Sequence, residues 1–291
     1  MRNDEPVSSL VARGGHALAR AVQLAAGMSG IFLTGLTPLR VAVSGAALLG
    51  WVALAAFDVR LSPSAALWVF AGVLVARYLI LFKSFGERGL AAWLKERCGR
   101  ERGFAWYEAL SALVFFLYTL SFLWLIEATS VTLAEPRATW VGALGGVLLG
   151  LGVIVSVWAT SSIGLGNYYY RDLFMGPRHL DFVYAGPYRV LSHPLYGFGQ
   201  LAAYGAALLA SSPTGVLAAA LNQAALLVFN ALVELPHLRA AARVSVDAEL
   251  RDRLARTVTE LQGTYAAFGG PVDWTVAPNT KPQAAVQRRE G

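Results

Sequence analysis

Six stretches of the chain, at about 39–57, 64–82, 105–126, 139–162, 194–211 and 214–233, run apolar for long enough to cross roughly 30 Å of hydrocarbon. The fifth is the shortest. Two other stretches are periodic rather than uniformly apolar. Near the start, Arg13, His16, Arg20 and Gln23 recur at helical spacing, while Val11, Leu18, Val22 and Ala25 mark another face. That pattern suits a helix lying on a membrane surface; a solvated helix without lipid contact is the plainer alternative. Near the end, residues 246–268 place Leu250, Leu254, Val258, Leu261, Tyr265 and Phe268 at helical intervals. This predicts an amphipathic helix that caps a site, lies on the bilayer or covers the bundle. From Gly269 onward Pro, Gly and polar residues predominate, a composition expected to stay disordered.

The expected fold is therefore all-α, a polytopic helical bundle of about six transmembrane helices. Residues 1–35 form an N-terminal interfacial segment and 36–137 hold the first three spans with a basic loop. Residues 138–243 hold the last three spans and the site, 244–268 the amphipathic helix and 269–291 the tail.

Composition agrees with a bilayer protein. Of 291 residues, 56% are hydrophobic and 14% charged, with a mean hydropathy of +0.51; soluble domains carry about a quarter charged residues. No compact apolar core precedes a cleavage site in the first thirty residues, so no signal peptide is expected. The one cysteine, Cys98, excludes an internal disulfide, and the four histidines are too scattered to predict a metal site. Six spans would put both termini on one side, together with the 83–104 and 163–193 connections. That side carries 21 of the 24 Lys and Arg residues, all but Arg60, Arg77 and Arg137. By the excess of positive charge in cytosolic loops, that side is expected to be cytosolic. An Ala-, Gly- and Arg-rich composition points to a bacterial inner membrane.

Candidate chemistry gathers on that leaflet. Residues 186–197 read Gly-Pro-Tyr-Arg-Val-Leu-Ser-His-Pro-Leu-Tyr-Gly, with two prolines that oppose ordinary lipid-facing helix and predict a helix entered at about Pro194. Glu234 closes an apolar run of about twenty residues, as a functional carboxylate or as a marker of the water interface. His193 is a candidate for proton handling, or a helix-start residue satisfied by a carbonyl. Gly150 and Gly152 sit mid-span; Gly142, Gly146 and Gly150 also repeat every four residues, the spacing of a helix-packing seam. Tyr168, Tyr169 and Tyr170 suit an interfacial aromatic belt. Arg77, a turn and a half from the cytosolic end of the second run, is expected to snorkel as a structural residue.

These segments resemble the membrane-embedded phospholipid N-methyltransferases and, more broadly, the isoprenylcysteine carboxyl methyltransferase superfamily. The superfamily pattern stands here as Gly186-Pro187-Tyr188-Arg189, Ser192-His193-Pro194 and Tyr196-Gly197. The phosphatidylethanolamine branch is matched by Leu149-Gly150-Leu151-Gly152-Val153 with Gly164, Asp172 and Phe174, by Ser212-Pro213-Thr214-Gly215, and by Glu234-Leu235-Pro236. Two positions depart from the pattern: Leu235 stands for a second glutamate and Ser192 for an arginine.

The resemblance implies an S-adenosylmethionine-dependent enzyme that methylates the ethanolamine head group of a membrane lipid, without metal or nucleic acid. It implies cofactor contact by Gly150, Gly152, Tyr188, Pro194, Tyr196, Gly197 and Glu234. The chemistry of amine methylation makes His193 and Glu234 candidates to take the amine's proton. Arg189, Asp172 and Arg171 are candidates for the lipid head group, the arginines through paired hydrogen bonds to phosphate. Methylation of an isoprenylated cysteine carboxylate or a small thiol, and a non-catalytic membrane homologue, are the rival readings.

Overall fold

The computed structural model describes residues 7–56, 60–86, 88–176, 185–191, 193–237 and 239, within a compact unit spanning Met1–Ala242. The predicted helix at 246–268 and the tail lie outside the described residues, as do Arg178 and Ser192. Every regular element among the described residues is helical. In chain order they are α1 (Val7–Met28), α2 (Pro38–Ala56), α3 (Pro63–Ser84), α4 (Leu90–Cys98) and α5 (Arg100–Ala128). Then follow α6 (Arg137–Ile163), the short α7 (Leu165–Tyr168) and α8 (Arg171–Met175), α9 (Leu201–Leu209) and α10 (Pro213–Phe229).

Four segments are long and apolar enough to cross a membrane: Pro63–Ser84, Arg100–Ala128, Arg137–Ile163 and Pro213–His237. The first and fifth expected spans correspond to shorter apolar helices, Pro38–Ala53 and Phe198–Leu209. The fifth helix begins later than Pro194. Gly197 turns with ψ −95° after a tight loop closed by its N–H on His193 O at 2.9 Å, and one 3-10 turn, Phe198–Gln200, leads into α9. Helix starts elsewhere obey their sequence signals. Ser62 caps α3 by accepting from Ala65 N, and Ser212 caps α10 by accepting from Gly215 N, each followed by proline at the first helical position.

Small residues bring α6 and α9 together, but not the ones that repeat every four. Gly142, Gly146 and Gly150 have open space around them. The seam is formed by Gly145, Leu149, Gly152 and Ser156 against Leu209, Gly205, Ala202 and Gly199. A methyl group added at Gly152 would fall on the Ala202 backbone nitrogen, one at Gly145 would lie 2.9 Å from Gly205 O, and one at Gly199 would lie 2.7 Å from Ser156 Oγ. The rest of α6 is largely uncovered, with only Gly145, Gly152, Ala159 and Thr160 buried.

On the other side, α2 is tied to α5 by charge. Arg40 Nε and Nη2 each donate to a Glu108 carboxylate oxygen at 2.9 Å, and Glu108 is 3% exposed. A carboxylate inside an apolar run is costly unless paired, and the two-pronged guanidinium supplies the pairing. The tyrosine run belongs to this core rather than to an interfacial belt. Tyr169 and Tyr170 are buried, and Tyr169 OH donates to Gly27 O at 2.6 Å, closing the end of α1 onto the bundle.

Two outcomes test this packing in thermal or denaturant unfolding of the detergent-solubilised protein. Gly152→Leu is expected to destabilise by about 1–3 kcal/mol through overpacking, while Gly146→Leu stays within about 0.5 kcal/mol of the parent. Glu108→Gln is expected to lose about 2–3 kcal/mol by leaving the Arg40 charge without its partner.

Candidate functional site

The 186–197 segment folds as two tight turns whose prolines point inward. Pro187 and Pro194 are fully buried. The first turn, Gly186–Arg189, lies close on α6: Gly186 has φ +57°, and a side chain there would meet Ser162 Oγ and, at 3.0 Å, Trp158 Nε1. Glycine is required at Gly186 both for this approach and for its left-handed backbone. Tyr188 is thereby placed on a cavity of about 140 Å³. His193, Pro194, Tyr196 and Gln200 from the second turn line the same cavity, with Glu234, Leu226, Arg77, Asn167 and Tyr170 from other elements.

At the end of α10 the helix loosens into a π turn over Asn230–Glu234, and the Leu235 N–H reaches back to Asn230 O. Such turns insert a residue into the helical repeat and recur at functional sites. Asn230 and Glu234 here share one hydrogen bond: Asn230 Nδ2 donates to Glu234 Oε2 at 3.0 Å. Tyr196 OH donates to the same oxygen at 2.7 Å. Among the described residues nothing donates to Glu234 Oε1. Leu235 is half-buried and is not part of the cavity wall.

The Tyr196 ring also stacks on His193, with centroids 5.9 Å apart and 14° between planes. Burial, and after it the neighbouring Tyr170 and Glu234, push the Tyr196 phenol well above its ordinary value of 10.0. Burial followed by Glu234 raises Tyr170 and Tyr188 in the same way. All three phenols therefore remain neutral hydrogen-bond donors at physiological pH.

Behind this wall runs a chain of amides. Gln223 Nε2 donates to Tyr196 O at 3.0 Å while its Oε1 accepts from Tyr204 OH at 2.7 Å. Gln200 Nε2 donates to Leu195 O at 3.1 Å, and its Oε1 accepts from Asn222 Nδ2 at 3.0 Å. Asn222 Oδ1 in turn accepts from Tyr78 OH at 3.1 Å and from Arg77 Nη1 at 3.3 Å. Arg77 does not snorkel to the surface. It is 5% exposed, with its guanidinium 4.2 Å from the Phe115 ring centre and 4.5 Å from that of Tyr118.

Of the site residues expected from sequence, Tyr188, His193, Pro194, Tyr196 and Glu234 meet on this one cavity. The others do not. Gly152 sits in the α6–α9 seam and Gly150 faces outward. Gly197 shapes the turn behind the wall. Arg189 is exposed. Arg171 and Asp172 line a neighbouring depression with Glu101, which pairs with Arg171 at 3.2 Å on the surface; Ile163 and Asn167 border both spaces. Sequence reasoning missed Gln200, Asn222, Gln223 and Asn230, and read Arg77 as a snorkelling residue rather than part of the wall. The signal was available: polar side chains inside apolar runs are expensive in hydrocarbon and mark sites by default.

One comparison with known proteins falls on the same part of the chain. Residues 140–241 match the phospholipid methyltransferase family. A phosphatidylethanolamine N-methyltransferase of the fission yeast Schizosaccharomyces pombe is 28% identical over 179 residues. That match covers 59% of this chain and 19% of the yeast protein, so the chain spans about a fifth of the length of the curated relative. No solved structure matches. Residues 140–241, which hold the turns, the seam and Glu234, are thus similar to the phospholipid methyltransferase family.

Proposed function

We propose that this chain is an S-adenosylmethionine-dependent membrane methyltransferase whose acceptor is the amine of an ethanolamine phospholipid. The observation that carries the reading is the convergence of Tyr188, His193, Tyr196 and Glu234 on one cavity inside the family-matched segment. The residues suit the cofactor. Glu234 offers an oxygen that no described protein group occupies, on a wall of neutral tyrosines, and a sulfonium cation needs such a carboxylate in a reduced dielectric. Bound there, S-adenosylmethionine would supply an activated methyl group.

The protein's part is alignment and proton handling. Displacement at a methyl carbon needs a held geometry more than covalent catalysis. Tyr196 OH and Asn230 Nδ2 hold Glu234 Oε2, which leaves Oε1 to accept from a ligand. An ammonium head group has no lone pair, so it must lose a proton before its nitrogen can bond to carbon. Glu234 Oε1 accepts that proton, with a ring nitrogen of His193 as the second route. Tyr196 cannot take it, because its phenol is already protonated. The excess of Lys and Arg in the connections supports a mouth on the cytosolic leaflet, where a lipid would enter sideways and a soluble cofactor arrive from water.

Membranes containing the protein, given methyl-labelled S-adenosylmethionine and phosphatidylethanolamine, are expected to yield labelled mono- or dimethylated ethanolamine lipid on chromatography. Label confined to protein, to an isoprenylated cysteine peptide or to a small thiol would overturn the choice of acceptor. Glu234→Gln should lower turnover about hundredfold. Tyr196→Phe should lower it about ten- to hundredfold, the loss of one hydrogen bond to a charged group.

A further inference from the structure

Arg77 lies outside the family-matched residues, and the methyl-transfer reading above gives it no role. Its side chain is 5% exposed and lines the cavity. Phe115 and Tyr118 hold the guanidinium through their rings, and the Tyr78 ring lies 5.6 Å away. Its protein hydrogen bond is a long one, 3.3 Å from Nη1 to a neutral amide oxygen, and its buried Nε has no acceptor at all. Among the described residues no carboxylate stands within ion-pair distance of it. Glu234 lines the same cavity but does not pair with it. A permanent cation about 10 Å from the end of an apolar helix, at 1.5 Å per residue, is costly unless an anion meets it. Ring contacts engage the faces of a guanidinium and leave its in-plane N–H edge, the part that grips planar and tetrahedral oxyanions.

We propose that Arg77 is the oxyanion-holding residue of this cavity, taking the phosphate or carboxylate group of a ligand whose cationic end lies toward Glu234. The inference rests on the function proposed above, since both ligands named there carry an oxyanion beside a cation: the lipid a phosphate, the cofactor a carboxylate. The cavity, about 140 Å³, has room for such a group, against ~30 Å³ for a water molecule. Opposite charges that share a cavity without pairing form a frame for a zwitterion.

Three measurements on the full chain in detergent or nanodiscs test it, with Arg77→Gln and Arg77→Lys. Inorganic phosphate should raise the unfolding temperature of the parent and leave that of Arg77→Gln unmoved. Calorimetric affinity for S-adenosylmethionine without lipid, and KM for phosphatidylethanolamine, separate the two sources of the oxyanion. A drop of about tenfold or more in cofactor affinity assigns the carboxylate, and a similar rise in lipid KM alone assigns the phosphate. Arg77→Lys keeps the charge without the fork and should fall between the parent and Arg77→Gln. Should Arg77→Gln fail to fold, the lysine variant decides on the same readouts. If both variants keep phosphate protection, cofactor affinity and lipid KM, and only their stability changes, Arg77 is a packing residue and the proposal is wrong. If the parent neither binds the cofactor nor methylates lipid, yet phosphate protection still depends on Arg77, the functional reading fails and the oxyanion site stands.

Discussion

Hydrocarbon offers no partner to a hydrogen-bonding group, and the inner wall of this bundle is organised by that constraint. Arg77, Gln200, Asn222, Gln223, Asn230 and Glu234 lie in or beside apolar helices, where each would be stranded if it faced lipid. They turn inward instead and meet one another. Arg77 and Tyr78 on α3 reach Asn222 on α10, Asn222 reaches Gln200 ahead of α9, and Gln200 holds the Leu195 carbonyl in the turn before it. Satisfying these groups rotates α3 and α10 to face the 193–200 turns. The cavity is the space left where they converge.

The α6–α9 seam complements that polar chain with contacts of the opposite kind. It uses backbone against backbone, possible only where Gly145, Gly152, Gly199 and Gly205 remove side chains from the interface. Because α6 buries little else, this seam is what keeps it beside the site. Its placement positions the Gly186 turn, and through that turn Tyr188. The glycine helix supports the site from behind. In this chain Gly152 packs against Ala202 in that seam.

Charge inside the cavity is arranged rather than neutralised. Elsewhere in the bundle a buried carboxylate, Glu108, is clamped by Arg40. Among the described residues Glu234 receives neutral donors, on one of its two oxygens. In a reduced dielectric a carboxylate acts strongly on a cation brought near it. The Tyr196 phenol, kept protonated by burial, orients the Glu234 carboxylate without competing for the proton.

The apolar runs determined that the chain is helical and membrane-embedded, and the Ser-Pro pairs at Ser62 and Ser212 marked where two helices start. The clustered motif at 186–197 and the lone Glu234 stood out as candidate chemistry, since polar side chains at the edge of an apolar run are costly there. Hydropathy alone did not determine which way each helix faces. It placed the packing seam on Gly142, Gly146 and Gly150, sent Arg77 to the surface and joined Pro194 to the fifth helix. Direction depends on rotation about the helix axis, and that is set by partners far away in sequence: Arg77 by Asn222, 145 residues on, and Gly152 by Ala202. The π turn that brings Asn230 onto Glu234 belongs to the same class. Composition supplied the helices and the polar residues, and long-range contacts decided which of them share a cavity.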